Sequence, residues 1–404
     1  MSRPLHQLCE LIVDCPHSTA FDEGEGYPLI RTPNIGPGYF DLEGVHRVGR
    51  AAYDKRNLRA VPRPNDLILA REAPAGNVAI IPEGAEYCLG QRTVLIRPDA
   101  NKVCPQFLNY YLNAPEQRHK LLKNANGATV SHVNMPIIRN LPVNLPSMDE
   151  QVRIADTLSA YDALIDNNRR QIKLLEEAAQ RLYKEWFIDL HFPGYESTPI
   201  DPETGLPEGW GEKEIQEVCL RIQSGSTPSR KNHNYWDNAT EEWFKTAELQ
   251  DLWLLDSEEK ISADAITETS VKEFPPNSIL MAIYASPTLG RLGILTKKST
   301  FNQAALGFVV DENFVSKEWL FLKLYELRDE FNSIARGAGQ QNISGQIVKD
   351  YDIVLPSKVL INAFTSLVAP IFHEMFHLQK LNSKLSEARN RLLPKLMSSE
   401  IEVL

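Results

Sequence analysis

The stretch GATVSHVNMPIIRNLPVNLPS at residues 127–147 returns as GAGQQNISGQIVKDYDIVLPS at residues 337–357, an offset of 210. Both copies open on Gly-Ala, pass through a polar turn and close on Leu-Pro-Ser. Self-similarity at such a distance marks a duplicated unit. Working outward, LCELIVDCPHST (8–19) aligns with VCLRIQSGSTPS (218–229) at the same offset and pairs Cys9 with Cys219. RPNDLILAREAPAGNVAII (63–81) aligns with PPNSILMAIYASPTLGRLGIL (275–295), and LGQRTVLIRP (89–98) with FNQAALGFVV (301–310), both shifted by 212. Small insertions inside a repeated module account for that drift.

The repeat runs on past the globular part, since LEEAAQRLYKE (175–185) precedes LSEARNRLLPK (385–395) by 210 residues. From Asp149 to Phe187 there is no Pro or Gly, and a seam recurs at alternating steps of four and three: Ile154, Leu158, Tyr161, Ile165, Asn168, Ile172, Leu175, Ala179, Leu182, Trp186. That spacing is a heptad seam, expected of a coiled coil. The second copy keeps the phase with Phe364, Val368, Ile371, Met375, Leu378, Asn382, Leu385, Arg389, Leu392 and Leu396. Ser147 followed by Glu150 suits a capping box that starts the first helix. A helix of this length extends roughly 58 Å at about 1.5 Å per residue, which suits a strut or a partner-binding rod. Each seam holds one amide, so the helices are expected to pair antiparallel with Asn168 facing Asn382, leaving Arg389 opposite Tyr161 as the imperfect layer. Pro370 and Pro394 are expected to kink or bound the second helix.

The organisation that follows is α+β: a first module at 1–146, a helix at 147–190, a Pro/Gly-rich linker at 191–206, a second module at 207–356 and a second helix at 357–404. Two repeated modules with two long antiparallel helices imply pseudo-twofold symmetry. At 404 residues the chain is too long for one ordinary domain. No apolar run approaches the roughly 18 residues of a membrane span, and the N-terminus lacks the basic, apolar and cleavage segments of a signal peptide, so a cytoplasmic protein is expected. The five cysteines form no CxxC pair and suit reduced thiols. Net charge is −10, but unevenly spread: about +2 over 1–146 and about −8 over 207–356. An acidic balance disfavours nucleic acid as a partner, whereas the first module escapes that objection.

Catalytic motifs are sparse. No GxxxxGK[ST], no GxGxxG and no amino-methyltransferase (D/N/S)PP(Y/F) pocket is found. His373, Glu374 and His377 fit HExxH, the zinc hydrolase motif. Met375 holds a seam position, however, so both histidines fall on the outward face, and no third ligand follows at a familiar spacing.

Taken together, the QIKLLEEAAQRLYKEWF and LSEARNRLLPKLMSSEIEV helix ends, the SGSTPS turn before NYWDNATEEWFKT, the GLPEGW segment and the Leu-Pro-Ser closing each module resemble the specificity subunits of type I restriction-modification systems. The likeness spans the chain. Small departures are the SSE at 398–400, where Gly is common, and a first module that begins almost at residue 1. The resemblance implies two target recognition domains, each reading half of a bipartite DNA site, and two helical regions that set their separation and dock two modification subunits. It implies a non-catalytic subunit: S-adenosylmethionine, ATP and Mg belong to partner chains, including restriction/translocase subunits, the alternative being a recognition subunit of a methyltransferase-only or other defence system.

Base readout needs Arg, Lys, Asn, Gln, Ser or Thr on loops. In the first module the candidates are Arg31, Asn34, Arg71, Gln91, Arg92, Ser131, His132 and Asn134. In the second they are Arg230, Lys231, Lys245, Thr246, Tyr284, Arg291, Gln303, Gln340, Gln341 and Asn342. The same placements also suit ordinary hydrogen-bonded loop side chains. Because the copies differ most in these loops, an asymmetric target is expected. Phe187, Phe372 and Phe376, beside the seam, are candidates for partner contact or for ordinary packing.

Overall fold

A computed structural model describes residues 2–123, 132–284, 288–337, 342–398 and 400–403. The chain forms two compact units, Met1–Ile165 with Lys384–Leu404, and Asp166–Ser383. These cut across the repeat, because each unit takes part of both long helices.

In the first unit a ribbon pairs Ser2–Pro4 with Pro142–Asn144 and ties the two ends of the module together. The central sheet is antiparallel, ordered Cys9–Asp14, Thr93–Pro98, Leu67–Ala70, Val78–Ile80. Leu67, Ile68 and Leu69 sit in its middle and are wholly buried. A continuous apolar run suits a strand covered on both faces, and each such side chain contributes about 1.5–3 kcal/mol. A second sheet joins Arg47–Val48, Tyr27–Ile30 and Cys88–Leu89, the last pair parallel.

The second unit repeats this wiring and adds one strand. Gly211–Glu214 pairs with Asp352–Leu355. Its main sheet runs Cys219–Ser224, Ala305–Val310, Ile279–Ala282, Leu292–Leu295, with Leu252–Leu254 added in parallel at the edge. The smaller sheet joins Glu259–Ile261, Glu241–Phe244 and Thr300–Phe301. Even the irregularity is shared: the register slips between Cys9 and Leu11 in one copy and between Cys219 and Arg221 in the other.

The long helices are Met148–Phe187 and Lys358–Met397. Leu-Pro-Ser starts both, because Ser147 Oγ accepts from Glu150 N at 3.3 Å and Ser357 Oγ from Leu360 N at 3.4 Å. Neither Pro370 nor Pro394 bounds the second helix, contrary to one of the two expectations. Burial of Val368, Phe372 and Met375 on both sides of Pro370 outweighs the lost backbone bond. This helix also holds an 18-residue window of mean hydropathy 1.4, long and apolar enough by composition to cross a membrane. That corrects the expectation of no such run. Its buried side chains, Ile361, Phe364, Val368, Phe372 and Met375, belong to the core of the second unit.

The helices run antiparallel within each unit. In the second, Asn168 Nδ2 donates to Asn382 Oδ1 at 2.9 Å, and Trp186 meets Phe364 at 5.7 Å between ring centroids. In the first, the Arg389 guanidinium bonds Asp162, which also accepts from Tyr110 Oη at 2.5 Å. A carboxylate beside Tyr161 thus resolves the imperfect layer. Phe187, Phe372 and Phe376 depart from the partner-contact expectation: the first two are buried, and Phe376 stacks on Trp253 at 5.4 Å. Module side chains such as Trp319 and Trp253 pack against the helix beside the seam and widen its apolar stripe.

Candidate functional site

In the first module the loops at one end of the central sheet converge on Arg71. Its Nη1 donates to both Asp14 oxygens at 2.8 Å, Nε donates to Val133 O at 2.9 Å, and Nη2 donates to His132 Nε2 at 2.7 Å. Since an arginine can only donate, His132 carries its proton on Nδ1 and passes it toward Glu72 Oε1 at 2.7 Å. Glu72 closes the chain with Arg92 Nε at 2.9 Å. Arg71, Arg92 and His132 are therefore brought together by two carboxylates that sequence analysis did not single out, Asp14 and Glu72. A charged residue within a buried strand end was the signal that partners had to exist.

This geometry revises individual roles. Arg71 is buried and fully bonded, so it positions loops and does not reach outward. Asn34 is buried too: its Oδ1 accepts from Arg31 N at 3.1 Å and its Nδ2 donates to Asp41 O at 3.2 Å. The equivalent residue of the second copy is Glu248, whose Oε2 accepts from Lys245 N at 2.7 Å. The shared pattern is a capped turn, not a reading element. Arg31 and Gln91 are half-buried on either side of Gly90, where a Cβ would lie 2.7 Å from Arg31 Cγ. Arg92 is exposed and left-handed, with φ of 63°. Asn134 precedes the short helix Met135–Arg139 without capping it through its side chain. Ser131 lies outside the described residues.

In the second module Arg230 lies 3.6 Å from the Trp236 ring centroid and bonds Glu259. Lys245 Nζ donates to Glu259 at 3.0 Å and to Glu258 at 2.9 Å. Arg230, and then Lys245, hold Glu259 below the usual carboxylate range. These two cations are thus largely compensated. Lys231 and Gln303 are exposed, the latter accepting from the Thr227 hydroxyl, while Thr246 and Arg291 are half-buried. Tyr284 is exposed and bridges Asn342 through the backbone. Gln340 and Gln341 lie outside the described residues. Burial alone would raise Glu242, but bonds from Lys260, Lys297 and Ser257 hold its carboxyl at about 2.

The arrangement offers donors and acceptors on loop ends. Burial pushes the thiols of Cys9, Cys88 and Cys219 up to about 12, so they stay protonated at neutral pH. His373 and His377 are exposed, and among the described residues no three His, Cys, Asp or Glu side chains gather as a metal site.

Comparison with known proteins agrees with the duplication. Residues 2–177 and 207–360 each match the model of the type I restriction modification DNA specificity domain. The chain is 27% identical over 369 residues to the type I restriction enzyme MjaIX specificity subunit of Methanocaldococcus jannaschii, covering 89% of this chain and 83% of that protein. It is 23% identical over 379 residues to the HindI specificity subunit of Haemophilus influenzae, covering 78% of this chain and 81% of that protein. Its fold is similar to the crystal structure of the type I restriction-modification S subunit from M. genitalium, with a TM-score of 0.57 at 14% identity over 98% of this chain and 95% of that one.

Proposed function

The chain belongs to the type I restriction modification DNA specificity family, and on that premise we propose that it reads a split, asymmetric DNA target, one half-site per module, for a complex whose catalytic centres lie in other chains. The observation that carries this reading is a duplication that keeps the order of the shared strands and diverges in the loops. Equal scaffolds with unequal reading surfaces suit two different half-sites.

The two long helices serve as spacer and dock in this reading. Val152, Leu164 and Leu174 on the first and Val359, Leu367 and Leu381 on the second are exposed apolar side chains suited to helices of two modification subunits. Restriction/translocase subunits would join through them, and S-adenosylmethionine, ATP and Mg would be bound by the partners. Adding one heptad to both helices should change the spacer length recognised.

The test is co-expression with the neighbouring methyltransferase, followed by sequencing of host DNA for methylated adenine. Methylation of one split motif that vanishes when this chain is omitted is the expected result. Identical methylation without it would overturn the reading.

A further inference from the structure

The first module holds a basic and apolar concavity. It measures about 360 Å³ and is lined by Pro16, Phe21, Lys55, Arg56, Leu58 and Arg59 among others, with no carboxylate in its lining. Arg56 is 5% exposed, yet its guanidinium donates only to carbonyls: Leu89 O at 2.6 Å, Ser18 O at 2.9 Å and Pro16 O at 3.4 Å. Arg59 Nη1 likewise donates only to Asp14 O at 3.0 Å and Cys15 O at 3.3 Å. Lys55 is exposed and makes no ion pair among the described residues. The acids nearby are engaged elsewhere: Asp14 with Arg71, Asp54 with Arg50, and Asp22 with the backbone N–H of Arg47 and Gly24. Three cations therefore share one concavity without a carboxylate partner among the described residues, and a buried guanidinium in that state favours an anion nearby.

Two large apolar side chains flank these cations. Phe21 is 84% and Leu58 81% exposed. Arg59 bonds the carbonyls at the end of Cys9–Asp14, and Arg56 bonds Leu89 beside the Gly90–Arg92 loop, so the patch adjoins the loops around Arg71. The duplicate has the opposite character. Where the first module has the helix RAAYDKR (Arg50–Arg56), the second has ADAITE (Ala263–Glu268), whose Glu268 accepts from Tyr235.

We propose that this concavity seats a phosphodiester of the DNA backbone flanking the first half-site, with Lys55 and Arg59 facing the phosphate and Phe21 and Leu58 packed on the adjoining deoxyribose. The inference rests on the DNA-reading function proposed above. Such an anchor fixes register without reading sequence.

The test uses the assembled complex and fluorescence anisotropy on a target duplex and a scrambled duplex across salt concentrations. Lys55→Ala should weaken both duplexes by the same factor and lower the slope of log affinity against log salt by about 0.9, the value of one phosphate contact. Phe21→Ser should weaken both with the slope unchanged. Lys298→Ala, removing a second-module lysine paired with Glu273 at 2.7 Å, is the control and should leave the slope alone. Unchanged binding by Lys55→Ala and Phe21→Ser overturns the site, as does a loss confined to the target duplex or a defect in assembly instead of DNA affinity. A wild-type complex that discriminates the duplexes while its variants match it refutes the anchor alone. A wild-type complex that does not discriminate refutes the specificity reading.

Discussion

The two modules make one backbone bond in the same place with opposite chemistry around it. Val133 N donates to Arg71 O at 3.0 Å in the first, and Ile343 N donates to Ile283 O at 3.0 Å in the second. Around Arg71 stand Asp14, His132 and Glu72; around Ile283 the matching positions are Ser224, Asn342 and Tyr284, with Ile283 itself 2% exposed. The fold therefore needs the node closed but not by any given force. A buried ionic chain suffers desolvation and requires every partner, whereas an apolar plug requires only volume. The first module's node centres on the buried Arg71, while the second carries Arg230, Lys245 and Glu259 in a half-exposed cluster.

Breaking the ionic node should have the largest effect. Arg71→Ala leaves Asp14 with the Cys15 N–H and His17 alone and removes the guanidinium donor of the Val133 carbonyl, and is expected to destabilise by about 3 kcal/mol, the low end for a severed buried pair. Ile283→Val, which trims the apolar counterpart, should cost only about 0.5–1.5 kcal/mol. Moving the second module's chemistry into the first, by Arg71→Ile with Asp14→Ser and His132→Asn, should recover most of the loss. Urea unfolding of the three variants measures this. If Arg71→Ala were as mild as Ile283→Val, the network would not be what closes the node.

A smaller contrast lies in the helix seam, where one unit places Tyr110, Asp162 and Arg389 and the other the pair Asn168 and Asn382. Asn168→Ala removes a donor to Asn382 and should cost about 1 kcal/mol, while Asn168→Leu with Asn382→Leu should be neutral or stabilising. Thermal unfolding distinguishes them. A double variant less stable than the single would mean that the amides contribute more than pairing.

What was legible in the sequence follows from range. The duplication, both long helices and their register show in periodicity and in the 210-residue offset, which are local or repeated signals. The node at Arg71 was not, because Asp14 lies 57 positions and His132 61 positions away, and only the fold brings them together. Asn34 looked like a base-reading amide because Asn suits both a groove and a turn cap, and its burial decides for the cap. Heptad logic turns Phe187 and Phe372 away from the seam, yet the module's own Trp319 and Trp253 cover them.

The smallest expected effect is a pH dependence belonging to one copy of the helix. Glu176 aligns with Ser386 at the 210-residue offset, in LEEAAQ against LSEARN, so only the first helix carries a carboxyl there. Burial first, then Asp251 and Glu177, raise Glu176 to about 7 against the opposing pull of Lys173. Asp251 accepts from Arg328 Nη1 at 3.1 Å and from Leu292 N at 2.8 Å. Because the folded protein holds this proton more tightly than the unfolded chain, whose value is near 4.5, stability is full below about 4.5 and falls as pH rises toward about 7. Above that the loss is constant. Glu176→Gln keeps the size and removes the titration, so the Tm difference between variant and wild type should widen from pH 4.5 to 7 and then level off. Half-burial limits the amplitude to a few degrees at most, about what 1 kcal/mol produces in a unit of this size. A difference that stays flat across the window would mean that Glu176 ionises in the folded protein as freely as in the unfolded chain, and that its environment is as wet as that of its serine counterpart.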